Sequence, residues 1–321
     1  MTAWGRQVVG AWSTFWFDER SVTPLALVRI AYGLLLLAWT ATLLPDVIDF
    51  FGPTPAATTT IGGWRWSVFE LSSSPAALWT GYVALIVAAV ALTVGLFTRV
   101  AAVVAFVLLL SFQRQNVWIL NSGDLLVRHL GLFLALGAAG GALSLDRWWR
   151  ARDRFWQPET RPVWPIRLIQ VQIAAMYLFS VWAKARGDTW ADGTAVGYAL
   201  RIDDLTRFAV PDVIIDQLVV VNLITYGTLA IELAIPLLVW NRRLRPWVLG
   251  LGVLMHVAID LTITVGFFSY AILVGYLAFV PSGTADRLVD RLRSRGADGV
   301  SASADESTPQ GAGRDPGRVE A

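Results

Sequence analysis

Residues 167–197 read RLIQVQIAAMYLFSVWAKARGDTWADGTAVG, and the rest of the chain is best understood outward from this stretch. Its first half is hydrophobic and long enough to cross most of a bilayer. It nevertheless contains Gln170 and Gln172, and it ends at Lys184, the only lysine in the protein. Burial can bring the pKa of a lysine towards neutrality, whereas an arginine stays charged. The stretch therefore predicts a membrane helix whose final lysine is a candidate proton acceptor.

The composition of the chain is that of an integral membrane protein. Of its 321 residues, 55% are hydrophobic and 16% are charged, and the mean hydropathy of +0.56 is too high for a soluble domain of this size. The chain has no cysteine, which excludes disulfides and thiolate sites. Its two histidines lie in no metal-binding spacing, so we predict no metal. The arginines cluster beside hydrophobic runs, which indicates contact with a lipid bilayer and no nucleic acid partner.

The hydrophobic runs predict an all-α, polytopic membrane helix bundle with about eight transmembrane helices and additional interfacial helices. Residues 1–22 are predicted to form an interfacial amphipathic segment, and residues 23–281 the transmembrane domain. Residues 282–321 are predicted to be a cytoplasmic, largely disordered tail that begins with a helix rich in Arg and Asp. The predicted crossings are 23–44, 76–97, 100–112, 125–143, 163–185, 217–240, 246–265 and 266–280, with a short helix at 193–201 between the fifth and sixth.

The distribution of arginine orients these crossings. Loops rich in Lys and Arg stay on the cytoplasmic side. We therefore predict a multi-pass protein of the plasma membrane with both termini in the cytoplasm, and with Lys184 on the extracytoplasmic side. The arginine-rich segments are 6–20, 99, 147–161, 242–245 and 287–295.

Ionisable residues inside the crossings are costly in lipid, so each is a candidate site. Asp124 and Arg128 are spaced for an ion pair on one helix, which would be structural or part of a site. Glu232 needs a partner such as Arg29, Arg128 or a water cluster. Arg29 lies near the cytoplasmic start of its helix and is predicted to snorkel towards the headgroups.

His256 and Asp260 are the sharper pair. A spacing of four residues places them on one helix face, where the carboxylate could fix the imidazole tautomer and raise its basicity. A hydrogen bond that only packs two helices is the alternative. We predict that the outer ends of the first, fourth, fifth, sixth and seventh crossings converge on one polar cavity. It would contain Asp124, Arg128, Lys184, His256 and Asp260. Lys184 is a base there if burial or Arg186 disfavours its charge, and a structural anchor if it pairs with Asp188 or another carboxylate.

Several segments, taken in order, resemble the HTTM domain, the membrane domain shared with the vitamin K-dependent gamma-glutamyl carboxylases. The resemblance covers roughly residues 20–281. The segments that carry it are PLALVRIAYGLLLL, NSGDLL, YLFSVWAK followed by W-x-DGTA, ELAIPLLVW and LMHVAIDLTITVGFFSYAILVGYLAFVP.

The resemblance implies a chemistry and a set of residues. In the carboxylases a lumenal lysine deprotonates reduced vitamin K, and oxygen then generates the strong base that allows carboxylation of a glutamate. Counted from Tyr177, Lys184 falls at that lysine, and the helix of His256 matches the region that lines the quinone pocket. The implied cofactor is a membrane quinone, either menaquinone or vitamin K-like. The catalytic residues are therefore predicted to be Lys184 and His256. Together with the ionisable residues of the crossings, the predicted binding residues for substrate or cofactor are Asp124, Arg128, Tyr177, Trp190, Glu232 and Asp260.

Two classes of function follow. The chain departs from the carboxylases at Ser122, where they have a histidine, and we expect a disordered tail in place of their large lumenal domain. The first class is an enzyme, or an enzyme subunit, with quinol-dependent carboxylase-like or oxidoreductase activity and Lys184 as the base. The second is a non-enzymatic membrane component for the maturation, export or immunity of a secreted peptide, with that peptide or a redox protein as partner.

Overall fold

The computed structural model describes residues 2–53 and 66–306, and the side chains of the last helix as far as Ser294. Nearly all of the regular structure is helical. Two short antiparallel strands, β1 (Glu19–Ser21) and β2 (Thr160–Pro162), pair with Arg20 opposite Arg161. The helices are α1 (Ala3–Phe17), α2 (Thr23–Thr42), α3 (Val47–Phe51), α4 (Pro75–Val94), α5 (Thr98–Gln115), α6 (Ser122–Leu136), α7 (Leu145–Arg150), α8 (Trp164–Lys184), α9 (Asp188–Ala191), α10 (Ala195–Ala199), α11 (Asp212–Ile215), α12 (Leu218–Leu238), α13 (Arg245–Thr262), α14 (Phe268–Tyr276) and α15 (Ser282–Glu306).

The predicted all-α polytopic bundle is confirmed. In the described residues, α2, α4, α5, α6, α8, α12, α13 and α14 follow the order of the predicted crossings. Five of them, α2, α4, α5, α8 and α12, are long and apolar enough to span a membrane. A sixth span results if α14, its continuation to Phe279 and α15 count as one broken span bent by 97°. The helix after Pro281 is present as predicted, and the end of the tail lies outside the described residues.

The fourth predicted crossing ends earlier than the hydrophobic run. α6 stops at Leu136 instead of residue 143, because Gly137, Gly140 and Gly141 disfavour a helix there. The non-helical segment that follows α6 supplies a backbone carbonyl group to a buried side chain. Arg29 is fully buried and donates from Nη2 to the carbonyl of Leu143 at 2.5 Å.

The prediction that Arg29 snorkels is therefore wrong. Its Nη1 also donates to the carbonyl of Leu92, at the end of α4, over 3.2 Å. Irregular backbone inside a membrane protein can satisfy a buried polar side chain in this way. Arg29 fastens three segments of the bundle to one another instead of reaching the headgroups.

The helices of the bundle pack in two groups, and α14 contacts both. α2, α4, α5 and α6 pack in succession, as do α8, α12 and α13, and α14 contacts α2, α6, α8 and α13. Since lipid tails are as apolar as leucine, close packing has to hold such helices together. At Gly33 of α2, for example, a Cβ would lie only 2.2 Å from Oγ1 of Thr93 on α4. The polar residues of interest lie where α8, α12, α13 and α14 meet.

The segment between α8 and α12 folds back over their ends. It contains α10, shorter than the helix predicted for 193–201, whose Val196 N–H donates to Oγ1 of Thr225 on α12 at 3.3 Å. Further on, the N–H of Arg207 donates to the carbonyl of Thr262 at the end of α13 at 2.9 Å. The segment therefore covers the end of the bundle at which Lys184 lies.

Candidate functional site

One face of α8 carries three polar side chains. Tyr177, Ser180 and Lys184 are spaced by three and four residues, so they project to the same side of the helix. Glu232 of α12 lies opposite this row: its Oε1 is paired with Nζ of Lys184, and its Oε2 accepts from Oγ of Ser180 at 3.1 Å. The Glu232 side chain is 7% exposed and that of Lys184 is 24% exposed. The lysine charge is thus compensated inside the bundle.

The chain after α8 adds an aromatic contact to this ion pair. α8 ends at Lys184, and the turn into α9 brings Trp190 back so that its ring centroid lies 4.9 Å from Nζ of Lys184. A cation over an indole face is attracted by the ring quadrupole. Lys184 therefore has two partners, one acidic and one aromatic.

Lys184 pairs with a carboxylate other than Asp188, as one of the two stated alternatives allowed, and this carboxylate is Glu232. The arginine partners predicted for Glu232 are wrong. Glu232 pairs neither with Arg29 nor with Arg128. Arg29 instead donates to the carbonyls of Leu92 and Leu143, which removes it as a partner.

A second polar chain begins one turn before Ser180. The hydroxyl of Tyr177 lies 2.7 Å from Nε2 of His256 on α13 and 2.5 Å from the hydroxyl of Tyr276 on α14. All three side chains are buried. Because a hydroxyl both donates and accepts, and a neutral imidazole has one nitrogen of each kind, the proton order along this chain can reverse. Tyr177 is the residue that joins the three helices.

His256 and Asp260 are not hydrogen-bonded to each other, so their predicted pairing is wrong. The carboxylate of Asp260 instead accepts from Arg207 at 3.0 Å and from the hydroxyl of Tyr270 at 2.6 Å. A charge-assisted bond to arginine is stronger than one to a neutral imidazole. Within the described residues, Nδ1 of His256 and Oδ1 of Asp260 are buried without a hydrogen-bond partner. Two unsatisfied polar atoms thus lie one turn apart on α13.

The comparison with family models decides the identity of this bundle, because the HTTM domain model matches residues 17–283. The chain belongs to the HTTM family. The matched range contains both polar chains described above and every helix that contributes to them. Neither the curated proteins nor the solved structures contain a match to the chain.

Asp124 has a structural role in this HTTM domain. It closes the start of α6 through a capping box, in which its Oδ2 accepts from the N–H of Asn121 at 2.8 Å while Oδ1 of Asn121 accepts from the N–H of Gly123 at 2.7 Å. Its Oδ1 accepts from the indole of Trp39 at 2.7 Å. The predicted ion pair with Arg128 is absent from the described residues, because two other donors, the N–H of Asn121 and the indole of Trp39, occupy the carboxylate. The Asn121-x-x-Asp124 spacing was a visible signal for this cap.

The HTTM domain brings together most, but not all, of the predicted site residues. Tyr177, Lys184, Trp190 and Glu232 lie around the end of α8, and His256 joins them through Tyr177. Asp124 and Arg128 of α6 belong to neither polar chain. Two members of the cluster escaped prediction, Ser180 and Tyr276. Ser180 lies one turn before Lys184, which was a usable signal, whereas nothing in the sequence around Tyr276 points to it.

Proposed function

We propose that this HTTM-domain protein performs proton-transfer chemistry on a membrane quinol, as a quinol-dependent oxidoreductase or carboxylase-like enzyme. The observation that carries the proposal is the ion pair of Lys184 and Glu232, which lies in the bundle together with the chain of Tyr177, His256 and Tyr276. Ionisable groups within a membrane bundle are costly and mark functional sites. We also propose that this end of the bundle faces away from the cytoplasm, as the arginine distribution predicts.

The ion pair provides a base. Transfer of one proton from the ammonium of Lys184 to the carboxylate of Glu232 would give an amine beside a carboxylic acid. In that arrangement the amine of Lys184 accepts a proton from a bound hydroxyl, while Glu232 retains the proton that it took from the ammonium. Ser180 steadies the carboxylate throughout. A lysine can act in this way, whereas an arginine cannot.

The residues next to the ion pair fit a quinol. Nδ1 of His256 and Oδ1 of Asp260 are buried and unpartnered among the described residues, and a ring oxygen and its hydroxyl proton would satisfy them. Aromatic surface lies beside them: the ring of Phe268 is 5.7 Å from that of His256. When bound, a menaquinone or vitamin K-like quinone supplies the redox chemistry, and the protein supplies orientation and the base.

Co-purification tests the binding part of this proposal. Wild-type protein purified from its own membrane should yield quinone in the solvent extract at a ratio approaching one per chain. His256→Phe, which removes the unpartnered nitrogen, should lose the quinone. Asp188→Asn, a change at an exposed carboxylate near Lys184, is the control and should retain it. Equal quinone in wild type and His256→Phe, or none in either, would refute quinol binding at this place.

A specific observation favours a second candidate, a non-enzymatic component for the maturation, export or immunity of a secreted peptide. Glu232 and Trp190 already satisfy Lys184, as they would satisfy a structural anchor between α8 and α12. Under this candidate the purified protein carries no quinone. A photo-crosslinker placed at Tyr198, an exposed residue of the segment above the site, should then capture a small secreted peptide in cells.

A further inference from the structure

A second site lies at the other end of the bundle. A cavity of about 920 Å³ opens where α8 begins, and Arg167 and Gln170 of α8 line it. α8 has 21 residues, so this cavity is on the order of 25 Å from Lys184 along the helix. The cavity is therefore separate from the quinol site proposed above.

The lining of this cavity is positively charged. Among the described residues it includes five arginines and no acidic residue: Arg20, Arg161, Arg167, Arg242 and Arg245. Two of these are neutralised, Arg20 by Asp18 and Arg161 by Glu159. Ser21, which also lines the cavity, donates to Asp286 at 2.7 Å.

The other three arginines have no carboxylate partner in the described part of the chain. Arg167 donates to the carbonyl of Phe15 at 3.1 Å and to Oε1 of Gln170 at 2.8 Å. Arg245 donates to the carbonyls of Val239 at 2.8 Å and Phe279 at 3.3 Å. Arg242 is exposed, and its guanidinium makes no hydrogen bond within the described residues. Three positive charges thus line one space, and none of them is in ion-pair contact with a carboxylate of the described residues.

Helix starts add to this field. α2, α8, α13 and α15 all begin at the cavity, since residues of each first turn line it. The helix dipole places partial positive charge at each of these starts. A phosphate group is the usual ligand of such a position.

Most of the remaining lining is apolar. Phe15, Leu25, Ile166, Leu249 and Phe279 form a wall next to the arginines. A small inorganic anion would leave this wall without a partner. A ligand with an anionic head and hydrocarbon chains would use both parts of the cavity.

We propose that this cavity binds a phosphate-bearing anion, with the headgroup of an anionic phospholipid as the source that the apolar wall favours over free phosphate. Basic pockets between transmembrane helices bind anionic lipid headgroups by this chemistry. The bound phosphate would neutralise Arg167, Arg242 and Arg245 and would lie in the positive field of the helix starts. It would thereby fasten the starts of α8, α13 and α15 to one another.

Thermal unfolding of the full chain in a zwitterionic detergent tests the proposal. Phosphatidylglycerol added in steps should raise the unfolding temperature with a saturating dose response, whereas phosphatidylcholine should not. Arg242→Gln should weaken the apparent affinity about fivefold, the effect expected of one arginine near an anionic headgroup. Arg243→Gln is the control, because Arg243 is the exposed neighbour that does not line the cavity.

Further measurements with the same assay identify the source of the anion. If inorganic phosphate alone reproduced the stabilisation, and if Arg242→Gln weakened its apparent affinity to the same extent, the anion site would be supported with a soluble ligand. No response to either phosphate source would overturn the proposal. An equal loss of affinity in Arg242→Gln and Arg243→Gln would also overturn it, since surface charge rather than the cavity would then be responsible. None of these outcomes depends on quinol chemistry at Lys184.

Discussion

The charged side chains at the two ends of α8 have opposite surroundings: one is paired with a carboxylate and the other is not. At its last residue, Lys184 is paired with a buried carboxylate, so the charges cancel inside the bundle. At its first turn, Arg167 lies among arginines and helix starts with no carboxylate of its own. A paired site can exchange a proton internally or anchor two helices. An unpaired site instead attracts an anion from outside. α8 therefore carries one site whose charges are paired within the protein and one site whose positive charges lack a carboxylate partner among the described residues.

The largest expected effect tests whether the Lys184 end is self-contained. Glu232→Gln leaves the lysine charge without its partner and should destabilise the protein by about 3 kcal/mol, as removal of one member of a buried ion pair does. The double variant Lys184→Gln/Glu232→Gln should be less destabilised than Glu232→Gln alone. Unfolding in mixed micelles measures both. Strictly additive losses would mean that the two residues are not coupled.

The polar chain beside this pair can be disturbed through a glycine. A Cβ at Gly252 of α13 would lie 2.3 Å from the hydroxyl of Tyr276, so Gly252→Ala should displace that hydroxyl and cost about 2 kcal/mol. Gly250, two residues earlier, has open space around its Cβ position. Gly250→Ala should therefore stabilise the helix by about 0.5 kcal/mol. The same unfolding measurement should give opposite signs, and a loss in both would show that helix packing here differs from the described contacts.

A substitution at Tyr177 tests how much the polar chain of Tyr177, His256 and Tyr276 contributes to stability. Tyr177→Phe removes one hydroxyl and leaves His256 and Tyr276 with unsatisfied buried atoms, for an expected cost of about 1.5 kcal/mol. Tyr198→Phe is the matched change, since that ring is 62% exposed and makes no hydrogen bond among the described residues. It should leave the unfolding midpoint unchanged. If Tyr177→Phe were equally silent, the three-residue chain would contribute no stability.

The smallest expected effect concerns the arginine-rich end of the bundle, where the carboxylate of Asp146 caps the start of α5. The carboxylate of Asp146 accepts from the N–H groups of Phe97 and Thr98 at the start of α5, each at 2.8 Å. Burial alone would raise the pKa of Asp146, but these bonds outweigh it and hold the pKa below its ordinary value of 3.8. Asp146→Asn should cost about 1 kcal/mol at neutral pH, as loss of a helix cap does.

The pH dependence of that variant follows from the sign of the shift. A carboxylate whose pKa is depressed on folding stabilises the protein above its ordinary pKa and ceases to do so as the pH falls through the lower, folded value. The difference in stability between wild type and Asp146→Asn should therefore be full at pH 7 and shrink below pH 3.8. A difference that grows on acidification would contradict this role of Asp146.

The helices were predictable because hydrophobic length and arginine clusters act locally along the chain. α2, α4, α8 and α12 begin and end within a few residues of the predicted bounds. Partners were not predictable, because Lys184 and Glu232 are 48 residues apart and Tyr177 and His256 are 79 apart. Nothing in a single sequence states which polar faces meet across helices. The Asn121 cap shows the reverse case, a contact between near neighbours that its spacing alone would have revealed.

The exchange of Lys184 for arginine most directly tests whether the paired end performs proton transfer. Arginine keeps the positive charge opposite Glu232 but cannot give up its proton. We expect Lys184→Arg to unfold at the wild-type temperature yet to consume added menaquinol in air no faster than a protein-free control. Arg243→Gln, which removes an exposed cation of the loop before α13, should retain the wild-type rate. A wild-type rate of menaquinol consumption in Lys184→Arg would contradict the proposed role and leave Lys184 as a structural anchor.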